Sequence, residues 1–513
     1  MSIKWPGWPT WTTRSGGGAK RGRRNTEGQG RQEKPPDEQK ENFNPRKDNR
    51  AKRRKIEEDE QDDEDDEENR VVESGSTPSL SCCRLPERLQ FHVPNEICSI
   101  GKQCRIPPGD TFYIYDYGGK KKKYCKTHYE NINMPDDHKD RCLQLKVNEN
   151  KAFEEVLKCS KCVRRVHRIC VLHVDKSPEG VLCLRCSRGL RIPRVLYFSR
   201  SEPKSSKFMM EKLQKFLGNS SIFIKTFTAK GTSKLENVVP KLVFEGVQVP
   251  LDYKKRAIYV FQKQDGIEIL FFAMYCREYC NTQIYGGENG GTWFVVDYLD
   301  TVPYLQGVED QRKEMYPRIM LAYFEYMRSI GILNGFIHAD PPIQGDDYVF
   351  NIHPARQIYK SKPDLIKWYQ DIFELGKKDG FIETSRDFQE ELTSRKFQSP
   401  TEIPLFEGSL WSATIKGIPS KTIEMFKNAM NMAYKEHAHD NFFLMFKKLR
   451  IFGKDDEVLN ENAVMIDRLK FLDMCQRRNW EFGTLRHAKF SSLALMSWLK
   501  EYQKKEEERK TNG

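Results

Sequence analysis

The sequence predicts an α/β domain with a central mixed sheet and flanking helices, preceded by a small metal-stabilised region and a disordered N-terminal segment. Three observations carry that prediction. From about residue 190 to 500, apolar runs of strand length (RAIYVFQ, IEILFFAMYC, TWFVVDYL) alternate with amphipathic helical patterns, of which PRIMLAYFEYMRSIG is the clearest. Eleven of the 14 cysteines lie between Cys82 and Cys186. Residues 1–78, by contrast, are Gly, Ser, Pro, Gln and charge, with too little apolar surface to offset chain entropy.

Within that first segment, the basic pairs and clusters Arg46-Lys47 and Lys52-Arg53-Arg54-Lys55 stand directly before an acidic run from Ile56 to Asn69. Two readings stand side by side: a bipartite nuclear import signal, and a solvated polyampholyte linker. The formal charge is +13 in spite of the acidic run, so the rest of the chain is more basic than the net value. Such a surface favours a polyanion, DNA included. No apolar run approaches the roughly 20 residues of a membrane span, and MSIKWPGWPTWTTRSGGG lacks the apolar core of a secretory signal. An intracellular place without a membrane partner is therefore expected. There cysteines stay reduced, and a cysteine cluster means metal sooner than disulfides.

The cysteine region contains Cys159-x2-Cys162, His167-x2-Cys170 and Cys183-x2-Cys186. A two-residue gap lets one tight turn aim two ligands at a single zinc ion. Three such pairs do not fill two four-ligand sites, so upstream residues are expected to complete them. Cys82, Cys83, Cys98, Cys104, Cys125 and His128 are the candidates, although the sequence does not fix the quartets. The arrangement points to interleaved modules of the PHD or RING kind holding structural zinc. Cys142, His92 and His138 are set aside as bystanders.

In the α/β region, GTWFVVDYLDTVPYLQGVEDQRKEMYPRIMLAYFEYMRSIG reads strand, loop, helix. Ile319, Tyr323, Met327 and Ile330 recur at helical spacing, and Pro317 is expected in the first turn, where its missing N–H costs nothing. A helix start just after a strand suits a phosphate, and Arg312 and Lys313 lie close by; surface charge is the plain alternative. The stretch GFIHADPPIQGDDYVFNIHP holds His338, Asp340, Asp346, Asp347 and His353. Their spacing does not converge on one ion. Asp346 and Asp347 read as turn residues before a YVF strand, and His353 as a structural histidine.

Several runs in this region match a known family. YLDTV (298–302), AYFEYMRSIG (322–331), PP-x2-GDDYVF (341–350), HP-x2-Q (353–357) and the pair Trp368-Tyr369 resemble the acetyltransferase domain of the CREB-binding-protein type of histone acetyltransferase. ICVLH (169–173) is similar to that family's PHD finger. The resemblance implies an acetyltransferase fold and an enzyme that moves acetyl from acetyl-CoA to lysines of histones and other nuclear proteins. It further implies a transcription coactivator acting in the nucleus with transcription factors as partners. By the same resemblance, Leu299, Asp300, Thr301, Arg312, Lys313, Tyr316, Tyr348, Gln357, Tyr359 and Trp368 would meet the cofactor. Tyr369 would be the general acid, with Trp368 beside it and His338 in the lysine tunnel. The domains then run as 1–78 disordered, 80–190 zinc-binding, 191–502 acetyltransferase and 503–513 a charged tail, with no bromodomain ahead of Cys82.

The chain departs from the family at four of these places. His338 replaces a tryptophan, Lys313 a threonine, Asp364 a cofactor-contacting arginine and Tyr359 an apolar residue. Those changes keep a catalytically weakened chromatin adaptor in view, and the cysteine region keeps a zinc-dependent ubiquitin ligase in view.

Overall fold

A computed structural model describes residues between 80 and 512, with breaks of which the longest are 131–142, 189–202, 234–250, 281–290, 396–405 and 407–427. The expected disordered segment, the import signal, Cys142, His138 and Asp346 lie outside the described residues.

The cysteine region forms short strands around small cores. β1 (Glu96–Ile97) pairs with β2 (Arg105–Ile106), and β3 (Thr111–Tyr117) lies between β4 (Lys120–Cys125) and β5 (Leu143–Val147). Helix α1 (Lys126–Glu130) follows β4, and β6 (Val156–Lys158) pairs with β7 (Arg165–His167). One core buries Cys98, Ile106, Phe112 and Tyr124, the other Cys159, Val166, Val181 and Cys183. Cores of this size do not offset chain entropy, so cross-links are needed to hold them.

The α/β region opens with α2 (Lys204–Leu217) and builds one seven-stranded sheet, in spatial order β13-β14-β12-β11-β10-β9-β8. Its strands are β8 (Ile222–Ser233), β9 (Leu251–Gln264), β10 (Ile267–Tyr279), β11 (Trp293–Thr301), β12 (Asn334–His338), β13 (Ile382–Asp387) and β14 (Asn441–Phe446). Every neighbouring pair is antiparallel except β11 and β12. A parallel pair needs a long crossover, and α3 (Glu309–Ser329) supplies it.

Helix α3 begins eight residues earlier than Pro317 would set it, so the proline lies inside the helix and not in its first turn. The segment EDQRKEMY is rich in good helix formers, and it extends the helix upstream at the cost of one backbone hydrogen bond. No strand forms at YVF either: 348–352 is a bend. Further helices among the described residues are α4 (Lys362–Lys378), α5 (Phe388–Arg395), α6 (Arg468–Arg477) and α7 (Leu485–Asn512). Residues 503–512, expected as a charged tail, complete α7.

Both faces of the sheet are covered, which is why β14, NFFLMF, is buried at every position. Phe442 packs on Phe373 of α4 and Phe446 on Phe324 of α3, while Phe443 meets Phe388 of α5 on the other face. Helix α7 lies against β10, where Ser492 Oγ accepts the Leu270 N–H at 2.9 Å.

One charged pair lies deep in this core. Arg256 of β9 meets Glu278 of β10 through Nε to Oε1 at 2.6 Å and Nη2 to Oε2 at 3.1 Å, with both side chains fully buried. Tyr323 of α3 donates to Glu278 and Arg256 donates to Ser205 of α2, so the pair ties two strands to two helices. Glu278→Ala would strand a buried guanidinium, and we expect denaturant melts to show a loss of about 3–5 kcal/mol.

Candidate functional site

Each of the twelve ligand candidates falls into one of three groups of four: Cys82, Cys83, His167, Cys170; Cys98, Cys104, Cys125, His128; and Cys159, Cys162, Cys183, Cys186. A tetrahedral zinc with sulfur at about 2.3 Å requires sulfur pairs about 3.8 Å apart and sulfur–nitrogen pairs about 3.5 Å apart. The observed separations are of that size. Cys82–Cys83 is 3.7 Å, Cys162–Cys183 3.8 Å, Cys104–Cys125 3.6 Å, Cys83–His167 Nδ1 3.4 Å and Cys98–His128 Nδ1 3.5 Å. The donor sets and spacings thus fit zinc. The pair His167 and Cys170 sits between two pairs of another group and is completed by Cys82 and Cys83, so the modules are cross-braced.

This region is joined to the α/β region by buried polar contacts. Glu154 accepts both ends of the Arg486 guanidinium, at 2.8 and 2.5 Å, and His487 Nε2 lies 3.0 Å from its Oε1. Burial alone would raise the Glu154 pKa, but these two partners outweigh it and bring it down to about 2. Arg486 Nε also donates to Cys170 Sγ at 3.0 Å, so the first turn of α7 touches a metal-ligand candidate. His92, set aside in the sequence, bonds Glu481 through its backbone N–H and Nδ1 and is part of the same seam.

On the α/β side, the end of β11 is laced to the loop at 348–357. The Asp300 carboxylate, 4% exposed, accepts the Val349 and Phe350 N–H groups at 2.8 and 3.0 Å and lies 2.9 Å from His353 Nε2. Gln357 Nε2 donates to the Thr301 carbonyl at 2.8 Å. Asp300 therefore shapes the loop with its side chain. Tyr348 packs edge-on against Tyr298, and the Arg468 guanidinium lies over both rings and donates to the Tyr348 carbonyl. Ile358, an apolar residue the sequence did not single out, is 91% exposed between Gln357 and Tyr359.

Burial opposes protonation of His353, and the charge and hydrogen bond of Asp300 outweigh it, so the histidine pKa is raised. A raised histidine pKa stabilises the fold below the unfolded value of about 6.5, and the contribution is lost as pH rises through the folded value. We expect His353→Gln to be least stable relative to wild type at pH near 6, with the gap narrowing under alkaline conditions in paired thermal melts.

Helix α4 presents Trp368 and Tyr369 with ring centroids 5.1 Å apart. Tyr369 is 6% exposed, packs on Phe373 and Phe442, and has its pKa raised by burial, reinforced by Cys276. The phenol is therefore protonated at neutral pH. Asp364, which replaces the family's arginine, is turned to local work: Ser361 Oγ donates to its carboxylate at 2.5 Å and accepts its N–H at 3.3 Å, capping the helix. Tyr316 packs over Phe271 and Phe272, Lys313 is exposed on α3, and the Arg312 side chain lies outside the described residues. His338, at the end of β12, is 3.8 Å from Asp440 Oδ2, a neighbour that sequence reasoning missed because a hundred residues separate the two.

Fold and sites together define a protein with a mixed-sheet α/β domain seated on cross-braced Cys/His modules. Residues 227–441 match the family model of the histone acetyltransferase domain KAT3, and residues 152–189 match the PHD domain described as histone acetyltransferase p300-like. The larger part of the α/β region is thus similar to a KAT3 histone acetyltransferase domain, and the segment ahead of it to a p300-like PHD domain. Among similar proteins, cbp-1 of Caenorhabditis elegans is 23% identical over 81% of this chain and 25% of its own length. Histone acetyltransferase HAC1 of Arabidopsis thaliana is 24% identical over 67% of this chain and 23% of its own. Probable histone acetyltransferase HAC-like 1 of Oryza sativa is 24% identical over 65% and 23%. The chain spans about a quarter of the length of these relatives.

Proposed function

We propose that the protein is an acetyl-CoA-dependent lysine acetyltransferase acting on histones and other nuclear proteins as a transcription coactivator. The observation that carries this reading is the β11 end, Leu299–Thr301, laced through Asp300 and Thr301 to the loop bearing Tyr348 and Gln357. Burial holds the Tyr348 phenol above the ordinary tyrosine range, and the nearby Tyr369 adds to that shift. Leu299, Thr301, Arg312, Lys313, Tyr348, Gln357, Tyr359 and Trp368 would line the acyl-CoA, with Ile358 an added apolar contact. Asp300 then acts by positioning, and the packing of Tyr316 on the sheet leaves it a supporting role.

Acetyl-CoA supplies an acetyl group activated as a thioester. The neutral amine of the target lysine forms a C–N bond to the acetyl carbon as the C–S bond breaks. The Tyr369 hydroxyl gives its proton to the departing sulfur, which lowers the barrier to expulsion. The proton lost by the amine passes to water, and the Tyr369 phenolate recovers a proton from water, which closes the balance.

In this reading zinc fills the three Cys/His groups, 80–190 is the zinc region and 191–502 the transferase domain. A nuclear place and contacts with transcription factors and DNA follow from the same reading and from the basic charge. Among the described residues no helix is long and apolar enough to cross a membrane. Calorimetric titration of the full chain with coenzyme A, paired with acetyl transfer to a histone-tail peptide, tests the proposal. Saturable binding with transfer is expected; absence of both overturns it.

A further inference from the structure

A fourth group of metal-capable side chains lies apart from the cysteines. His338 at the end of β12, His437 and Asp440 just before β14 bring one donor atom each to within 4.8 Å of the others. His437 Nδ1 is 3.1 Å and His338 Nε2 is 3.8 Å from the same oxygen, Asp440 Oδ2. A tetrahedral zinc with nitrogen and oxygen ligands near 2.1 Å calls for separations of about 3.4 Å, which these two values straddle.

The frame behind the donors is fixed. His338 pairs with Asn441 in the sheet, the Ala339 N–H donates to the Asp440 carbonyl at 2.7 Å, and Asn441 Nδ2 donates to Asp440 Oδ1 at 2.6 Å. That leaves Oδ2 as the oxygen turned to the two imidazoles. A cation already stands there: Lys362 Nζ, on the first residue of α4, is 2.6 Å from Oδ2. Burial would raise the Asp440 pKa, yet His338, His437 and Lys362 hold it well below the carboxylate range, so the oxygen is anionic.

We infer that His338, His437 and Asp440 form a binding site for a divalent transition-metal ion of the zinc class, with which the Lys362 ammonium competes for Asp440. Two imidazoles and one carboxylate suit such an ion and disfavour magnesium or calcium, which take all-oxygen sets. Three protein ligands with a fourth position free also mark an exchangeable site, unlike the closed cysteine quartets. Lys362 is 42% exposed along its side chain and can swing aside. The inference shares His338 with the lysine tunnel that the resemblance implies, but its readout is metal uptake and does not depend on acetyl transfer.

Cobalt(II) is the probe. The full chain, with the cysteine groups loaded with zinc, is titrated with cobalt under reducing conditions. One additional cobalt per chain is expected, with visible ligand-field absorption and no near-ultraviolet thiolate charge-transfer band. His437→Gln and Asp440→Asn should each weaken it by at least roughly tenfold, the loss that even outer-shell changes produce. Lys362→Met keeps every ligand and should tighten it. The inference is overturned by the absence of saturable cobalt uptake in both wild type and Lys362→Met, by a thiolate band, or by unchanged affinity in His437→Gln with the circular dichroism of wild type.

Discussion

Tyr369→Phe is expected to lower acetyl transfer by about 10²–10⁴-fold while coenzyme A affinity and melting temperature stay close to wild type. The separation of the two effects follows from the surroundings of the ring. Trp368, Phe373 and Phe442 pack on its carbon skeleton, which phenylalanine retains. Only the hydroxyl is lost, and among the described residues no hydrogen bond reaches it, so no buried partner is orphaned. Tyr369→Ala would confuse the readout, since truncating a buried aromatic costs about 3–5 kcal/mol. The raised pKa adds a second check: wild-type turnover should show no decline from phenol ionisation through the ordinary tyrosine range near pH 10. Full turnover by the phenylalanine variant would remove Tyr369 from the role of proton donor.

How far the sequence could foresee this arrangement differs from place to place. Strands β9, β10 and β11 were legible because their apolar runs are continuous, as strands covered on both faces must be. The bend at 348–352 was not, because its amides are taken by carboxylates and not by a neighbouring strand: Val349 and Phe350 bond Asp300, and Ile352 bonds Asp347. Positive φ at Ile352 also breaks any strand there. Two-residue spacings pointed to metal, but the partnership of Cys82 and Cys83 with His167 spans more than eighty residues of chain, beyond local reading. The position of the family's second cofactor-contacting arginine illustrates a change of role. Asp364 stands where the family has a cofactor-contacting arginine, and the structure gives it a local role three residues after Ser361, in the N-terminal cap of α4.

Removal of metal should have its largest consequence at the seam, and two cysteine variants separate that consequence from simple loss of an ion. Cys170→Ser and Cys186→Ser each remove one ligand from one of the four-residue groups, and each is expected to lower the metal content of the chain. Structural zinc contributes on the order of 10 kcal/mol of apparent folding free energy to small modules, so either module should open locally. Only Cys170 touches Arg486, whose guanidinium also holds Glu154 against the start of α7. With the thiolate gone and His167 released, Glu154 and Arg486 face a module that no longer holds its shape. A buried ion pair that loses its surroundings is exposed to water and forfeits most of its worth. Hydrogen exchange across 481–495 should therefore quicken in Cys170→Ser and remain near wild type in Cys186→Ser, while metal analysis shows a loss in both. Equal protection of that stretch in the two variants would mean that the cysteine region is only tethered to the α/β region. A difference between them would mean that the first group of ligands braces α7, and through Ser492 and Leu270 the interior strand β10, so that metal occupancy and the stability of the seven-stranded sheet rise and fall together.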